Sequence, residues 1–302
     1  MATLRQLEYL IAVVEHGSFT EAAAALHVSQ PALSHQVKAL ERATGTPLLE
    51  RLPRGVVLTP AGRAYLGHAR AAVAAAALAR RSARAVAGAE DGELYLASVL
   101  SVALGVVPSV LRAWYQRYPG VDVVLQEFGQ LAPFHEAIAS GAADVAIGPL
   151  APGWQGPVHE LGREHFVVIT GADDSLVGRE TVGLAELADR RWVHYASSHG
   201  FAPLVEDACA AAGFTPHAAI RTTQTGAVPR LVSTGLGVGL VPANIVDPEF
   251  PGGVLRPDPP IRRMLAAYSR PGPDPLMTEF LQVARESAEV TPEHLKPLLP
   301  DS

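Results

Sequence analysis

The sequence predicts an α+β multidomain chain: an N-terminal winged helix-turn-helix, a long linker helix, and a C-terminal two-lobed α/β region. Three observations predict it. Residues 1–60 hold three short helical patterns punctuated by capping residues, then two short strand patterns. Residues 61–89 are rich in alanine and keep helical spacing throughout. From residue 90 onward strand and helix patterns alternate, which implies parallel sheet order. Boundaries are therefore expected near residues 60 and 89, with one lobe over about 92–163 and 269–302 and the other over about 164–268. Of the 302 residues 48% are hydrophobic and 18% charged, enough apolar material for a substantial core and too much for wholesale disorder.

In the first helix Leu4, Leu7, Leu10, Ile11 and Val14 recur at helical spacing, and Gly17 ends the run. Ser18 reads as the N-cap of a second helix over residues 19–26, with Glu21 placed to complete a capping box. Ala22, Ala23 and Ala25 are small enough for another helix to pack closely. After the turn at His27 and Val28, Ser29 caps a third helix whose Leu33, Val37 and Leu40 share one face. A helix, a short turn and a capped helix form the arrangement that lays the second helix of the pair in the DNA major groove. Residues 48–51 and 56–58 then read as two strands joined by Pro53-Arg54-Gly55, a wing.

The other side of the third helix is polar: Ser29, Gln30, Pro31, Ser34, His35 and Lys38. A glutamine can pair bidentately with adenine, a serine can meet a base edge, and a helix N-terminus favours phosphate. Arg51 and Arg54 sit where a wing meets backbone or minor groove. Charge agrees. The chain carries a net −6, but residues 1–89 hold ten Lys/Arg against five Asp/Glu, net +5, while the remainder holds fourteen against 25, net −11. Phosphate attraction depends on the local field, since salt screens distant charge. The competing reading is a helical adaptor with a solvated polar face.

The linker opens at Thr59 or Pro60 and runs to about residue 88. Leu66, Ala69, Val73, Ala76 and Ala77 form an apolar stripe with coiled-coil-like spacing beside Arg63, Arg70, Arg80, Arg81 and Arg84. Following a helix-turn-helix, the stripe predicts a homodimer, which presents two recognition helices to a dyad-symmetric DNA site. The short polar segment 88–93 marks the next boundary.

In the acidic remainder strands are expected at 94–98, 121–126, 145–147, 166–169, 192–194, 217–221, 238–241 and 265–268. Helices are expected through 111–115 and over 133–140, 184–187, 204–212, 227–233 and 276–288. Crossings near 163–166 and 268–270 would join two lobes and leave a cleft. In open α/β sheets ligands bind beyond the carboxyl ends of strands. That rule selects Ser98, Ser101 and Gln130 from one lobe, and Ser197, Ser198, His199 and Thr223 (with Gln224 and Thr225) from the other. Polar donors with few fixed acids suit a small organic anion such as a carboxylate.

Several chemistries are missing from the sequence. The eleven histidines form no cluster with metal-ligand spacing, so no metal or other cofactor is expected. Gly235-Leu236-Gly237-Val238-Gly239 lacks the third glycine of a dinucleotide fingerprint, and neither a phosphate loop nor a nucleophile elbow occurs. No enzyme is expected. The single cysteine, Cys209, lies in an apolar helical stretch and reads as a packed thiol rather than a redox sensor. With no secretory signal and no membrane-spanning run, the expected location is the cytoplasm.

The motifs Leu4-Arg5-Gln6-Leu7-Glu8-Tyr9, Gly17-Ser18-Phe19-Thr20, Val28-Ser29-Gln30-Pro31-Ala32-Leu33-Ser34, Gly45-Thr46-Pro47-Leu48-Leu49-Glu50-Arg51 and Leu58-Thr59-Pro60-Ala61-Gly62 closely resemble the LysR-type transcriptional regulators. Two departures stand out: His35 where the family often has arginine, and Leu49 where it often has phenylalanine. More loosely, Arg117-Tyr118-Pro119-Gly120-Val121, Gly141-Ala142-Ala143-Asp144-Val145 and Gly235-Leu236-Gly237-Val238-Gly239-Leu240-Val241-Pro242 are similar to that family's effector domain. The resemblance implies a periplasmic-binding-protein-like effector domain and a linker helix that pairs between subunits, with dimers assembling into tetramers. It also implies control of a neighbouring divergent gene and of the chain's own promoter, with RNA polymerase among the partners it admits. The competing class is a cytoplasmic solute receptor whose head holds a partner instead of DNA.

Overall fold

The structure, a computed structural model, describes residues 2–52, 55–86 and 93–299, with the side chains of residues 78 and 80–86 also left out. The chain divides into two compact units near residue 89. Arg54, the polar segment 88–92 and the side chains of Arg80, Arg81 and Arg84 lie outside the described residues.

The first unit is built from α1 (Leu4–His16), α2 (Phe19–Ala25), α3 (Gln30–Thr44), β1 (Leu49–Leu52), β2 (Gly55–Leu58) and α4 (Pro60–Val86). Local chemistry sets each end. Thr3 and Gln6 form a reciprocal capping box on α1, and Gly17 closes that helix at φ 64°, a conformation glycine adopts without a Cβ penalty. Ser18 accepts from the N–H groups of Thr20 and Glu21, but Glu21 returns no bond to Ser18, so the box expected on α2 is only its serine half. Ser29 caps α3 through the N–H of Ala32, and Thr59 caps α4 through the N–H of Gly62 at 2.9 Å. Leu10, Val13, Leu33, Val37 and Leu40 are almost fully buried where the first three helices meet. Removing a leucine side chain from water in this way contributes about 1.5–3 kcal/mol. The wing is an antiparallel pair, Leu49 opposite Leu58 through Leu52 opposite Gly55. Two features the sequence pattern did not announce hold it to the helices. The Glu41 carboxylate accepts from the N–H groups of Leu48 and Leu49 at 2.9 and 3.1 Å, and the Val56 N–H donates to the Gly17 carbonyl.

The second unit runs β3 (Glu93–Val99), α5 (Leu100–Gly105), α6 (Val107–Arg117), β4 (Asp122–Phe128), α7 (Leu131–Ser140), β5 (Val145–Gly148), β6 (Val158–Ile169) and β7 (Thr181–Gly183). After a 3-10 turn it continues with β8 (Arg191–Tyr195), α8 (Ala202–Ala211), β9 (His217–Thr222), α9 (Ala227–Ser233), β10 (Gly239–Pro242), β11 (Val254–Asp258), β12 (Arg262–Ser269) and α10 (Pro275–Ser287). One lobe centres on β4-β3-β5, all parallel, with β12 antiparallel on β5. The other centres on β6 with β10 and β11 antiparallel to it; parallel β8-β9 joins through a bridge from Trp192 to Val238. Strands β6 and β12 pair with each other and make the passages between lobes. Trp114, Phe134, Phe280 and Tyr268 fill the first lobe, while Phe166, Trp192, Tyr195 and Cys209 fill the second.

The differences from expectation have physical reasons. The first strand of the first lobe, β3, is followed by two helices, not one, because the short α5 lies in a largely apolar run that continues from the strand. Strand β6 is twelve residues long, not four: its first half alternates in exposure, so only its buried end shows as a continuous apolar stretch. Strands β7 and β11 were not expected; each is at most five residues long, with β7 at the sheet edge and β11 next to it. Residues Leu184–Leu187 form a 3-10 turn, too short for an α-helix. The return passage comes near Ile261, not at 268–270, because Ala266–Ser269 already pair with β5. The sheet is therefore mixed, with parallel order confined to β3-β4-β5, β8-β9 and β7-β11.

Candidate functional site

The first unit offers a polar face. Ser29, Pro31, His35 and Lys38 are exposed along the N-terminal half of α3, while Gln30 and Ser34 are half-buried. Gln30, Ser34 and Lys38 stand four residues apart and so share one stripe, which borders the buried face of Leu33, Val37 and Leu40. Arg51, exposed on β1, joins that stripe. Its Nη2 donates to Ser34 Oγ at 2.7 Å, and its guanidinium lies 4.4 Å from the centre of the Phe19 ring. Behind the stripe the Gln6 amide donates to Gln36 Oε1, tying α1 to α3. Pro31 stands in the first turn of α3, where a missing N–H costs nothing.

The second unit contains a cleft between its lobes, partly open to solvent. Its apolar lining includes Val99, Leu100, Phe128, Leu131 and Phe201; its polar lining is Ser101, Gln130, His199, Thr225 and Arg263. The lobes meet at one rim, where Gln130 Nε2 donates to the Ser198 carbonyl at 2.7 Å and the Gly200 N–H donates to the Gly129 carbonyl. A Cβ at Gly200 would stand 2.9 Å from that carbonyl oxygen, so the backbones approach this closely only because residue 200 is glycine.

Under the cleft floor lies a buried carboxylate. Glu164 on β6 has no exposed surface, yet its two oxygens are well supplied. Oε1 accepts from Asn244 Nδ2 at 2.9 Å and from the Ser101 hydroxyl at 3.2 Å, and Oε2 accepts from Arg263 Nε. Arg263 sits on β12, its side chain 19% exposed, with its guanidinium over the rings of Phe201 and Phe166. A carboxylate and a guanidinium this deep are tolerable only as a pair with their other donors and acceptors engaged. The Tyr195 hydroxyl and Asn244 Oδ1 are buried close by without a hydrogen-bond partner, and burial raises the Tyr195 pKa, keeping that phenol neutral.

His199 has a defined tautomer. The Phe201 N–H donates to Nδ1 at 3.1 Å, so the ring hydrogen resides on Nε2, which donates to Thr225 Oγ1 at 2.8 Å. Burial lowers the His199 pKa and keeps the ring neutral, stacked 4.6 Å from Tyr195. Thr225 then accepts from the histidine and keeps its own hydrogen to offer.

Of the seven residues selected for the cleft, Ser101, Gln130 and His199 lie on its wall. Ser98 does not. It is fully buried on β3 and donates to the Ile147 carbonyl, because that strand continues to Val99 and the wall begins one residue later. Ser197, Ser198 and Thr223 are exposed outside the lining; Ser198 reaches the rim only through its carbonyl, and in the 223–225 loop it is Thr225 that faces the cleft. Glu164, Asn244 and Arg263 were missed. The sequence held one signal, a charged residue at the head of the apolar run Phe166-Val167-Val168-Ile169, which marks a carboxylate entering the core. Cys209 is fully buried among the second lobe's apolar side chains, and burial pushes its pKa up to about 11. Among the described residues no group of His, Cys, Asp or Glu could hold a metal ion, and no helix is long and apolar enough to cross a membrane.

Comparison with known proteins gives concordant matches to both units. Residues 4–63 match the family described as "Bacterial regulatory helix-turn-helix protein, lysR family", and residues 87–289 match the "LysR substrate binding domain". The chain is 36% identical over 250 residues to the "Probable hydrogen peroxide-inducible genes activator" of Streptomyces viridosporus, covering 82% of this chain and 80% of that one. It is 30% identical over 291 residues to the "DNA-binding transcriptional dual regulator OxyR" of Escherichia coli K12, covering 93% of both. Among solved structures it is similar to full-length CbnR complexed with its target DNA, with TM-score 0.65 and 27% identity over 95% of this chain and 100% of that one.

Proposed function

Because this chain belongs to the LysR family of DNA-binding transcriptional regulators, with an effector-binding domain behind its helix-turn-helix, we propose how its own residues divide that work. Gln30, Ser34 and His35 read base edges, Ser29 and Pro31 set the N-terminus of α3 against the phosphate backbone, and Lys38, Arg51 and Arg54 anchor the strands on either side. Ala69 and Val73 of the α4 stripe pack against Leu7, Leu10 and Leu40 of the same chain, so the remaining apolar residues of α4, Leu66, Ala76 and Ala77 among them, pair two copies. Two heads then meet a dyad-symmetric site, and pairs of dimers form tetramers. The head occupies residues 1–60, the linker 61–89 and the effector domain the rest. The chain works in the cytoplasm as a regulator, not as an enzyme, and its bound state engages RNA polymerase at the promoter.

The effector is a small organic anion held between the lobes by Ser101, Gln130, His199, Thr225 and Arg263. The observation that carries this reading is the origin of the lining. Its polar members come from both lobes and from the crossover strand β12, so one small molecule can touch every part that moves when the cleft closes. Five apolar residues and Gly129 and Gly200 supply the remaining wall, which suits a compact ligand with one polar end. Ser98, Ser197, Ser198 and Thr223 have no part in this account of the wall. Sensing through an intramolecular disulfide is outside this sequence's means, since Cys209 is its one cysteine.

A ligand acts as a switch only by preferring one state. Closure of the cleft changes the footprint or bend that the paired heads impose on DNA. Isothermal titration of the full chain with a panel of small carboxylates and matched neutral and cationic analogues tests the effector half. Heat from carboxylates alone is expected, lost in Thr225→Ala, and binding confined to neutral or cationic compounds would overturn it.

A further inference from the structure

Ser34 and Arg51 stand on different elements, α3 and β1, and each would ordinarily be given its own contact with DNA. In the structure they are one unit. The Arg51 guanidinium is fixed twice: its face lies 4.4 Å over the Phe19 ring of α2, and its Nη2 donates to Ser34 Oγ at 2.7 Å. Phe19 is buried and Arg51 exposed, so the ring is a firm seat for a side chain that would otherwise move freely.

We infer that Arg51 is a specificity-determining residue acting through Ser34: by taking one of the serine oxygen's two lone pairs and fixing the hydroxyl, it biases Ser34 toward donating its hydrogen to the DNA. A free serine hydroxyl both donates and accepts and so discriminates poorly between base edges. In a helix its hydrogen commonly turns back to the carbonyl four residues earlier. Here the oxygen is turned to Arg51, and among the described residues no protein group accepts the Ser34 hydrogen. The hydrogen is left to be offered outward. Beside Arg51, Ser34 favours guanine O6 or N7, adenine N7 or thymine O4, and disfavours cytosine, which offers the major groove a donor. This rests on the reading that α3 faces the major groove.

The test is selection from a duplex DNA library randomised at every position, by the full-length chain and by S34A, R51A, R51K and S34A/R51A. The wild-type motif is expected to contain one position at which cytosine on the contacted strand is disfavoured by about tenfold. S34A flattens that position alone. R51A and R51K flatten the same position while leaving others intact, because lysine keeps the charge but not the planar fork seated on Phe19. The double variant loses no more discrimination there than either single one. A motif that keeps the position in R51A, or whose Ser34-dependent base is cytosine, overturns the inference while the groove reading stands. A wild-type chain that selects no motif overturns both. A misfolded variant is recognised by loss at every position, and R51K, which preserves the charge, then decides.

Discussion

Along α3 polar side chains stand toward solvent: His35 and Lys38 are exposed with no side-chain partner among the described residues, and Arg51 is exposed over an aromatic ring. In the cleft the polar side chains are already bonded to one another: Ser101 to Glu164, Glu164 to Arg263 and Asn244, His199 to Thr225. The first surface works by addition, since DNA supplies acceptors that nothing in the protein supplies. The second works largely by exchange, since apart from the Thr225 hydrogen a ligand meets polar side chains that already have partners. A surface built for addition gains affinity with each contact and loses it to salt. A cleft built for exchange gains little net affinity per contact, but each exchange shifts the bonds between its lobes, and that shift is what a switch requires.

The largest effect is expected at Glu164. Glu164→Ala strands the Arg263 guanidinium in a mostly buried site and leaves Ser101 and Asn244 without their acceptor. The expected cost is about 3–5 kcal/mol in urea unfolding of the full chain, and a loss below about 1 kcal/mol would mean the pair is no keystone. On the other surface, Gln30→Ala should cost about 1–3 kcal/mol at the cognate site and relax base choice there. Lys38→Ala should weaken all sequences evenly and reduce the salt slope by about one. If the two variants respond alike across sequences, the division between reading and anchoring residues on α3 is wrong. Ser29→Ala, which removes the α3 cap, should cost about 1 kcal/mol of stability, seen as a lowered melting temperature.

A finer prediction concerns pH. The folded pKa of His199 lies below the ordinary value of 6.5, so below that pH the unfolded chain binds more protons than the folded one. His199 therefore contributes a loss of stability as pH falls from about 6.5 toward its lowered folded value, and nothing above. Comparing urea midpoints of wild type and His199→Gln across pH 5 to 8 should show the wild type losing more stability on the acid side. Parallel curves would contradict a neutral, buried imidazole.

The two surfaces also differ in how legible they were. The head's elements follow from caps and spacing: Ser29, Pro31 and the Leu33, Val37, Leu40 stripe determine where α3 begins and which side faces outward, so its polar stripe could be read directly. The coupling of Arg51 to Ser34 could not, because seventeen residues separate them and only the wing's path over Phe19 brings them together. In the effector unit the alternating strands and helices pointed to two lobes and to loops that include part of the cleft lining. The rule of strand ends then chose Ser98 over its neighbours by one residue, and strand period turns a one-residue shift into the opposite face. Arg263 and Glu164 escaped for a different reason. They sit on crossover strands whose pairing is non-local, so no window of sequence shows that they touch.

The central claim is that a DNA-reading head and an effector cleft work as one regulator. Its most direct test is fluorescence anisotropy of the full-length chain on duplex DNA from upstream of its own gene, against scrambled competitor, over a series of salt concentrations. The account predicts tight, competitor-resistant binding whose affinity falls steeply and log-linearly with salt. Equal affinity for scrambled DNA, or no binding at any salt concentration, would contradict it and leave the chain a solute receptor whose head binds something else.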